Sequence, residues 1–282
     1  MDLSRFSAEG ASFSTGWVPG ADNIKLFEIH YRPANPSPFP PLIFLPGWVS
    51  IIDSWENVLK EMTKDFEIYY LETREKGSAK HLIEQELNIA ALGDDLSSVL
   101  DYHNLFDKPY ILFGSSLGGT VILDAMSQLK VSPTMAVLIG PNAEFQAPRY
   151  WLWIIRMVPP VLLDFIKPLA KWYMKKKYIN MEADPKQYEK YARALDRGNP
   201  GRMKRSALSF SKYKIWEKLD NIHQKVLIFT GSQDVMHGYD NTVKMAELLP
   251  NCKLIDLVTN ASTHSVEMVK QLRSLLKEDV NV

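Results

Sequence analysis

Short apolar runs alternate with longer amphipathic stretches along most of the chain. The runs are rich in Ile, Leu, Val, Phe and Tyr, a composition typical of strands buried on both faces of a parallel sheet. They occupy residues 24–31, 42–45, 67–71, 110–113, 135–139, 225–230 and 253–258. The stretches between them predict helices over residues 53–64, 84–104, 116–130, 240–249 and 264–277. This alternation indicates an α/β fold with a mostly parallel central sheet flanked by helices.

Residues 142–218 interrupt the alternation. No clear strand pattern occurs there, and several prolines divide the stretch into short helices, because a proline inside a helix removes a hydrogen bond and clashes with the preceding turn. We therefore predict one α/β core, formed by residues 1–141 and 219–282, with residues 142–218 inserted as a helical cap.

The composition is that of an ordinary globular protein. The chain has 282 residues, of which 46% are hydrophobic and 23% charged. Its one cysteine, Cys252, excludes a disulfide framework and a cysteine-rich zinc site. No apolar run approaches the length of a transmembrane helix, and the first ten residues lack the pattern of a secretory signal. The expected location is therefore cytoplasmic.

The charges are unevenly distributed. The chain holds 33 basic and 33 acidic side chains, and this formal neutrality argues against a strongly basic protein that binds nucleic acid. Residues 142–218 contain 17 basic and 7 acidic side chains, a net of +10, so the rest of the chain has a net of −10. Neutrality is the sum of a basic cap and an acidic core.

The strongest chemical signal is Gly-Ser-Ser-Leu-Gly-Gly at residues 114–119, directly between an apolar run and a helical pattern. A nucleophile on a tight strand-to-helix turn needs small neighbours, since strand and helix approach closely there. Gly114 and Gly118 supply that room for Ser116. At the start of the helix, the backbone N–H of Leu117 can donate to a developing oxyanion. A glycine-serine loop without chemistry is the alternative interpretation.

A serine hydroxyl needs a base to act as a nucleophile at neutral pH, and the base needs an orienting acid. Asp234 and His264 follow the last two predicted strands, at the sheet edge where functional groups gather in open α/β folds. Each also has a structural interpretation, Asp234 as a turn residue and His264 as a residue at a helix start. Asp240 is a rival acid, but a helix N-cap explains it. His237, in the same loop as Asp234, is interpreted as a pocket-rim residue.

This turn, together with the chain order Ser, Asp, His, resembles the α/β-hydrolases of the serine esterase and lipase type with a helical cap. The resemblance covers most of the chain. It implies that Ser116 is the nucleophile, His264 the general base and acid, and Asp234 the carboxylate that orients the imidazole.

A second motif carries the same resemblance. Leu-Pro-Gly-Trp at residues 45–48 is similar to the family's oxyanion loop. The similarity implies that the backbone N–H of Trp48 joins that of Leu117 in the oxyanion hole. The family usually has His-Gly where this chain has Pro46 and Gly47, a change that keeps the backbone donor.

These residues predict hydrolysis of carboxylic esters through an acyl-enzyme on Ser116, with no cofactor and no metal. The chain has no phosphate-binding loop, no dinucleotide-binding glycine motif and too few grouped ligands for a metal site. The same residues could instead carry out a related reaction, and the alternatives are thioester hydrolysis, lactone opening, perhydrolysis and carbon–carbon bond cleavage. So is a non-catalytic ligand-binding protein of the same fold.

The cap holds four of the seven tryptophans. Trp151 and Ile155 lie in a largely apolar stretch that either packs onto the core or roofs an apolar pocket over Ser116. The second interpretation predicts a small-molecule ester with a hydrophobic acyl or alcohol part, with His237 at the pocket rim. The three lysines at residues 175–177 form either a solvated basic face or a surface for weak association with anionic lipid.

Overall fold

A computed structural model of the protein describes residues 2–80, 85–145, 148–182 and 185–280. Within these ranges, eight strands form one sheet in the order β1-β2-β4-β3-β5-β6-β7-β8. They are β1 (Ser12–Pro19), β2 (Lys25–Arg32), β3 (Leu42–Leu45), β4 (Ile68–Leu71), β5 (Ile111–Ser115), β6 (Met135–Ile139), β7 (Val226–Thr230) and β8 (Cys252–Asp256). The pairs β1–β2 and β2–β4 are antiparallel and all the others are parallel. The predicted α/β fold with a mostly parallel sheet is confirmed.

Helices cover both faces of the sheet. They are α1 (Glu56–Met62), α2 (Ile89–Tyr102), α3 (Leu117–Met126), α4 (Arg149–Met157), α5 (Leu163–Lys177), α6 (Pro185–Arg197), α7 (Pro200–Phe210), α8 (Tyr239–Leu248), α9 (Asn260–Thr263) and α10 (Val266–Val280). Apolar side chains of α2, α3 and α8 pack on one face of the sheet, and those of α1 and α10 pack on the other. In the described part of the chain, no helix combines the length and the apolarity needed to cross a lipid bilayer.

The sequence pattern does not predict β1. Six of its eight residues are exposed, and Val18 alone is buried. The strand forms an edge of the sheet and pairs with β2 along its whole length, from Ser12 opposite Arg32 to Pro19 opposite Lys25. An edge strand with a single buried side chain lacks the hydrophobic alternation on which strand prediction depends.

Two local predictions are wrong. The helix predicted over residues 84–104 begins at Ile89, because the side chain of Asn88 caps it by accepting a hydrogen bond from a first-turn backbone N–H; Glu84 lies outside the described residues. Asp240 is not an N-cap, since Gly238 takes that position in α8. Asp240 lies in the first turn instead, where a carboxylate still complements the helix dipole.

The helices α4 to α7 lie between β6 and β7, in the stretch predicted as a cap. Both ends of that stretch are tied to the core. Ala143 and Ile215 are buried in the same apolar cluster as α2 and α3, and the Ile215 N–H donates to the Ala143 carbonyl (2.9 Å). Asp124 on α3 accepts a hydrogen bond from the Tyr213 hydroxyl (2.7 Å) and forms an ion pair with Lys218. The chain therefore enters and leaves the inserted helices side by side.

The turn between β5 and α3 leaves no space for a side chain at its two flanking glycines, Gly114 and Gly118. A Cβ atom on Gly118 would lie 2.1 Å from the carbonyl oxygen of Leu45. One on Gly114 would lie 2.6 Å from Cδ1 of Ile122 and 2.7 Å from the backbone of Gly118. Glycine at both positions lets α3 approach β3 and β5 at backbone distance.

We expect Gly118→Ala to destabilise the protein by about 3 kcal/mol or more, because the new methyl group would overlap a backbone oxygen that cannot move alone. Gly16→Ala in β1 is the matched control, since a Cβ there meets nothing within 4 Å, and it should leave stability nearly unchanged. Urea-induced unfolding followed by circular dichroism measures both. Equal unfolding midpoints for the two variants would contradict this account of the turn.

Candidate active site

Ser116 stands between β5 and α3 in a strained backbone conformation, with φ 49° and ψ −113°. Residues other than glycine rarely adopt a positive φ, and such strain persists only where the surroundings impose it. The Ser116 N–H donates to the Ile139 carbonyl at the end of β6 (2.9 Å). Its Oγ accepts a hydrogen bond from Nδ2 of Asn142 (2.8 Å). The serine side chain is thus presented at the carboxyl edge of the sheet.

Asn142 is a member of the site that sequence reasoning missed. It follows β6 by three residues and therefore emerges at the same sheet edge as Ser116, beside the strand that carries it. A polar residue directly after a strand adjacent to β5 is the sequence signal that could have identified Asn142 as part of the site.

Of the two residues predicted for the oxyanion hole, Leu117 follows Ser116 directly in the chain, and Trp48 follows a glycine that contacts Ser116. Leu117 is the first residue of α3, where helix geometry leaves the backbone N–H without an intrahelical acceptor. Gly47 packs against Ser116, since a Cβ there would lie 3.3 Å from Cβ of Ser116, and Trp48 follows it. The Trp48 indole N–H donates to the Ser206 hydroxyl on α7 (2.9 Å). This bond joins the loop to α7.

His264 lies directly after α9, with its ring 4.3 Å from the Trp55 ring between centroids. Its Nδ1–H donates to the carbonyl oxygen of Asn260 (2.9 Å). That bond fixes the tautomer, so Nε2 carries a free electron pair and accepts from the ammonium of Lys190 (3.4 Å). Lys190 lies on α6 of the cap and also donates to the Asn260 side chain (2.6 Å).

Asp234 is buried, and both of its carboxylate oxygens accept hydrogen bonds. The imidazole that donates to it is that of His237 and not that of His264. One carboxylate oxygen accepts from Nδ1 of His237 and from Nδ2 of Asn260, both at 2.7 Å. The other accepts from Nε2 of Gln187 on α6 (3.0 Å) and from the Met236 backbone (3.1 Å).

Asp234 and His264 line one pocket without a direct hydrogen bond between them, and Ser116 is not among the residues that line it. In the described ranges, no hydrogen bond joins Asp234 to His264 or His264 to Ser116. Asn260 connects the first pair, because its amide donates to Asp234 and its backbone carbonyl accepts from His264.

The protonation of these groups follows from their surroundings. Burial lowers the pKa of His264 well below its ordinary value, and the positive charge of Lys190 lowers it further. Burial by itself would raise the pKa of Asp234. The attraction of His237 and the hydrogen bonds from His237, Asn260 and Gln187 outweigh that effect and hold the pKa of Asp234 well below its ordinary value. At neutral pH, His264 is a neutral imidazole and Asp234 a carboxylate.

A narrow pocket beside these groups lies between the ends of β6 and β7 and the helix α9. Asp234, His237 and His264 line it. Trp151 and Ile155, predicted as pocket residues, are not among its lining residues. The Trp151 ring packs instead on Tyr173 of α5, with centroids 5.4 Å apart. Among the described side chains, no group of three or more His, Cys, Asp or Glu is placed to share a metal ion.

The sequence profile of the alpha/beta hydrolase fold family matches residues 40–268. The chain belongs to that family. An esterase from Rhodococcus sp. ECU1013 is similar in structure, with a TM-score of 0.73 at 19% identity over 94% of this chain and 98% of its own. The thermophilic esterase from Thermogutta terrifontis has a TM-score of 0.72 at 14% identity, over 95% of this chain and 98% of its own.

The enol-lactonase from Burkholderia xenovorans LB400 is also similar, with a TM-score of 0.72 at 12% identity over 94% of this chain and 98% of its own. At these identities, the likeness shows the fold that this α/β-hydrolase shares with them. Comparison with curated proteins finds no match. Membership of the alpha/beta hydrolase fold family supports a hydrolase.

For this α/β-hydrolase we expect the acid limb of the kcat/KM pH profile to lie below the ordinary histidine pKa of about 6.5. Lys190→Met removes the positive charge beside His264 and should raise the pKa of that histidine, so the limb should move to higher pH. Lys186→Met, at an exposed position on the same helix, is the control and should leave the limb in place. An unchanged limb in Lys190→Met would contradict the coupling.

Proposed function

We propose that the protein hydrolyses carboxylic esters through an acyl-enzyme formed on Ser116. One observation carries the proposal. The Ser116 side chain is held on a strained turn at the start of α3, beside the Gly47 loop and with its Oγ already positioned by a hydrogen bond. A serine whose backbone is strained so that its hydroxyl is exposed on such a turn is typical of a nucleophile.

In the first step the Oγ of Ser116 attacks the ester carbonyl carbon, and its proton passes to Nε2 of His264. The carbonyl oxygen takes the negative charge, which the backbone N–H groups of Leu117 and Trp48 stabilise. Collapse of the tetrahedral intermediate breaks the bond to the alcohol oxygen, which leaves with the proton from His264. The acyl group remains on Ser116.

Water completes the reaction through the same groups. His264 takes a proton from the water molecule whose oxygen attacks the acyl carbonyl, and then returns that proton to the departing Oγ of Ser116. The products are the carboxylic acid and the free enzyme. A neutral His264 with its acceptor at Nε2 suits both steps, since each begins with a proton moving to that atom.

Two existing contacts have to be exchanged before nucleophile and base meet. Asn142 holds the Oγ of Ser116, and Lys190 holds Nε2 of His264. Lys190 belongs to α6 of the cap, and Asn142 lies where the chain enters it. Substrate binding in this proposal therefore displaces side chains contributed by the cap and its entrance.

Asp234 supports the base through Asn260 in this mechanism. His237 is a second candidate for the base, because it donates directly to Asp234. Its ring also lies against Gly140, where a Cβ would be 3.1 Å from it, and Gly140 follows the strand that pairs with the end of β5. We favour His264 because it follows the last strand, which is where the family resemblance places the base.

His264→Gln and His237→Gln distinguish the two candidates. We expect His264→Gln, like Ser116→Ala, to lower kcat/KM for a p-nitrophenyl ester by about a thousandfold or more, because removal of any proton-transfer partner disables the whole unit. His237→Gln should cost about tenfold, through the loss of one of the hydrogen bonds to Asp234. The reverse ranking would assign the base to His237.

Fluorophosphonate labelling checks the nucleophile independently. The folded wild-type protein should be labelled once, at Ser116, and Ser116→Ala should not react. A folded wild-type protein that resists labelling at neutral pH would refute the acyl-enzyme.

The hydrophobic character of the substrate is part of the proposal. A series of p-nitrophenyl esters of increasing acyl length should show rising kcat/KM, because each buried methylene contributes about 0.8 kcal/mol. A flat series would contradict a hydrophobic acyl site. Thioesters and lactones assayed in parallel decide between the alternative acyl substrates, and saturable binding without turnover of any of them would indicate a binding protein.

A further inference from the structure

The surface of α4 and α5 is unusually apolar. Nine large apolar side chains in the described residues are more than half exposed, and seven of them lie within residues 149–177. Phe165 is 80% exposed and Trp153 is 65% exposed. We define the cap patch as Trp153, Met157, Val161, Phe165, Leu169 and Trp172. Contiguous exposed apolar surface of this kind marks an interaction site.

The spacing of these residues places them in stripes. Trp153 and Met157 are four residues apart on α4, and Phe165, Leu169 and Trp172 are four and three residues apart on α5. Residues at such intervals share one side of a helix. Each helix therefore carries an apolar side that is open to solvent, and α5 alone is about 22 Å long at 1.5 Å per residue.

The two helices are joined at both ends, and α4 packs on α7 while α5 packs on α6. The rings of Trp151 and Tyr173 join the start of α4 to the end of α5, and the 3₁₀ turn Pro160–Leu162 connects their other ends. Neither helix contains a fully buried side chain. Helices whose exposed apolar stripes meet no other element have one surface without a partner.

The charge around the cap patch is strongly positive. Residues 149–177 contain seven basic side chains and one acidic side chain, Asp164, which pairs with Lys167 (2.7 Å). Lys176 lies over the Trp172 ring, 4.8 Å from its centroid. Aromatic and aliphatic side chains bordered by lysines are characteristic of helices that lie in the headgroup region of anionic bilayers.

We propose that the cap patch docks on the surface of an anionic lipid membrane, with α4 and α5 lying in the plane of the headgroups. The apolar stripes enter the boundary of the acyl chains, and the lysines at residues 175–177 meet the lipid phosphates. A net charge of +6 over residues 149–177 favours this occupant over a second copy of the same basic surface, which would repel it. The proposal is independent of the reaction at Ser116.

Flotation with phospholipid vesicles tests the proposal. The wild-type protein should bind vesicles in which about a third of the lipid is phosphatidylserine far better than vesicles of phosphatidylcholine alone, and about 1 M salt should release most of it. Phe165→Ser with Leu169→Ser should weaken binding about tenfold. Lys175→Ala, Lys176→Ala and Lys177→Ala together should weaken it about a hundredfold.

Tyr102→Ser is the matched control, since Tyr102 is 54% exposed on α2 of the core, and binding should not change. Circular dichroism and thermal unfolding verify that every variant is folded. Equal binding to neutral and anionic vesicles, or no binding to either, would overturn the proposal. Analytical ultracentrifugation without lipid gives a further test. If the wild-type protein is a dimer and Phe165→Ser with Leu169→Ser converts it to a monomer, the cap patch is a protein interface and the proposal is overturned.

Discussion

A contact between two backbone segments sets the geometry of the site, because Gly118 of α3 lies against the carbonyl oxygen of Leu45 with no space for a side chain. The contact holds the first turn of α3 against the end of β3. Both backbone N–H groups proposed for the oxyanion hole, those of Leu117 and Trp48, lie within three residues of it. The positive φ of Ser116 persists because the surrounding packing leaves the turn no relaxed alternative.

The sequence was sufficient to predict those parts of the protein that are determined by the local pattern of apolar and small residues. Buried strands are continuous apolar runs, and the turn around Ser116 is a string of small residues between a strand and a helix. The sequence pattern did not predict β1, because that strand buries a single side chain. Gln187 and Lys190 could not be predicted, since the orientation of an inserted helix is decided by tertiary contacts that leave no periodic signal. The pairing of Asp234 with His237 is likewise a choice between two nearby imidazoles that spacing cannot decide.

The predicted cap and the rest of the chain carry opposite net charge, and they meet at the groups proposed to move protons. Two side chains of α6 bond to the proposed acid and the proposed base, Gln187 to Asp234 and Lys190 to His264. Because the ammonium of Lys190 lowers the proton affinity of His264, the strength of the base depends on where the cap lies. Withdrawal of α6 would make the imidazole more basic at the same moment that it frees Nε2 for Ser116.

The lack of buried side chains in α4 and α5 has a consequence for the folding energetics of the chain. Little free energy holds these helices in place, so they open locally at a small fraction of the cost of global unfolding. We therefore expect their amide hydrogens to exchange with solvent through openings that leave the eight-stranded sheet intact, whereas amides of β5 and β6 should exchange only when the core itself unfolds. In that case the chain would comprise two cooperative units of unequal stability, with the weaker one inserted between two strands of the stronger.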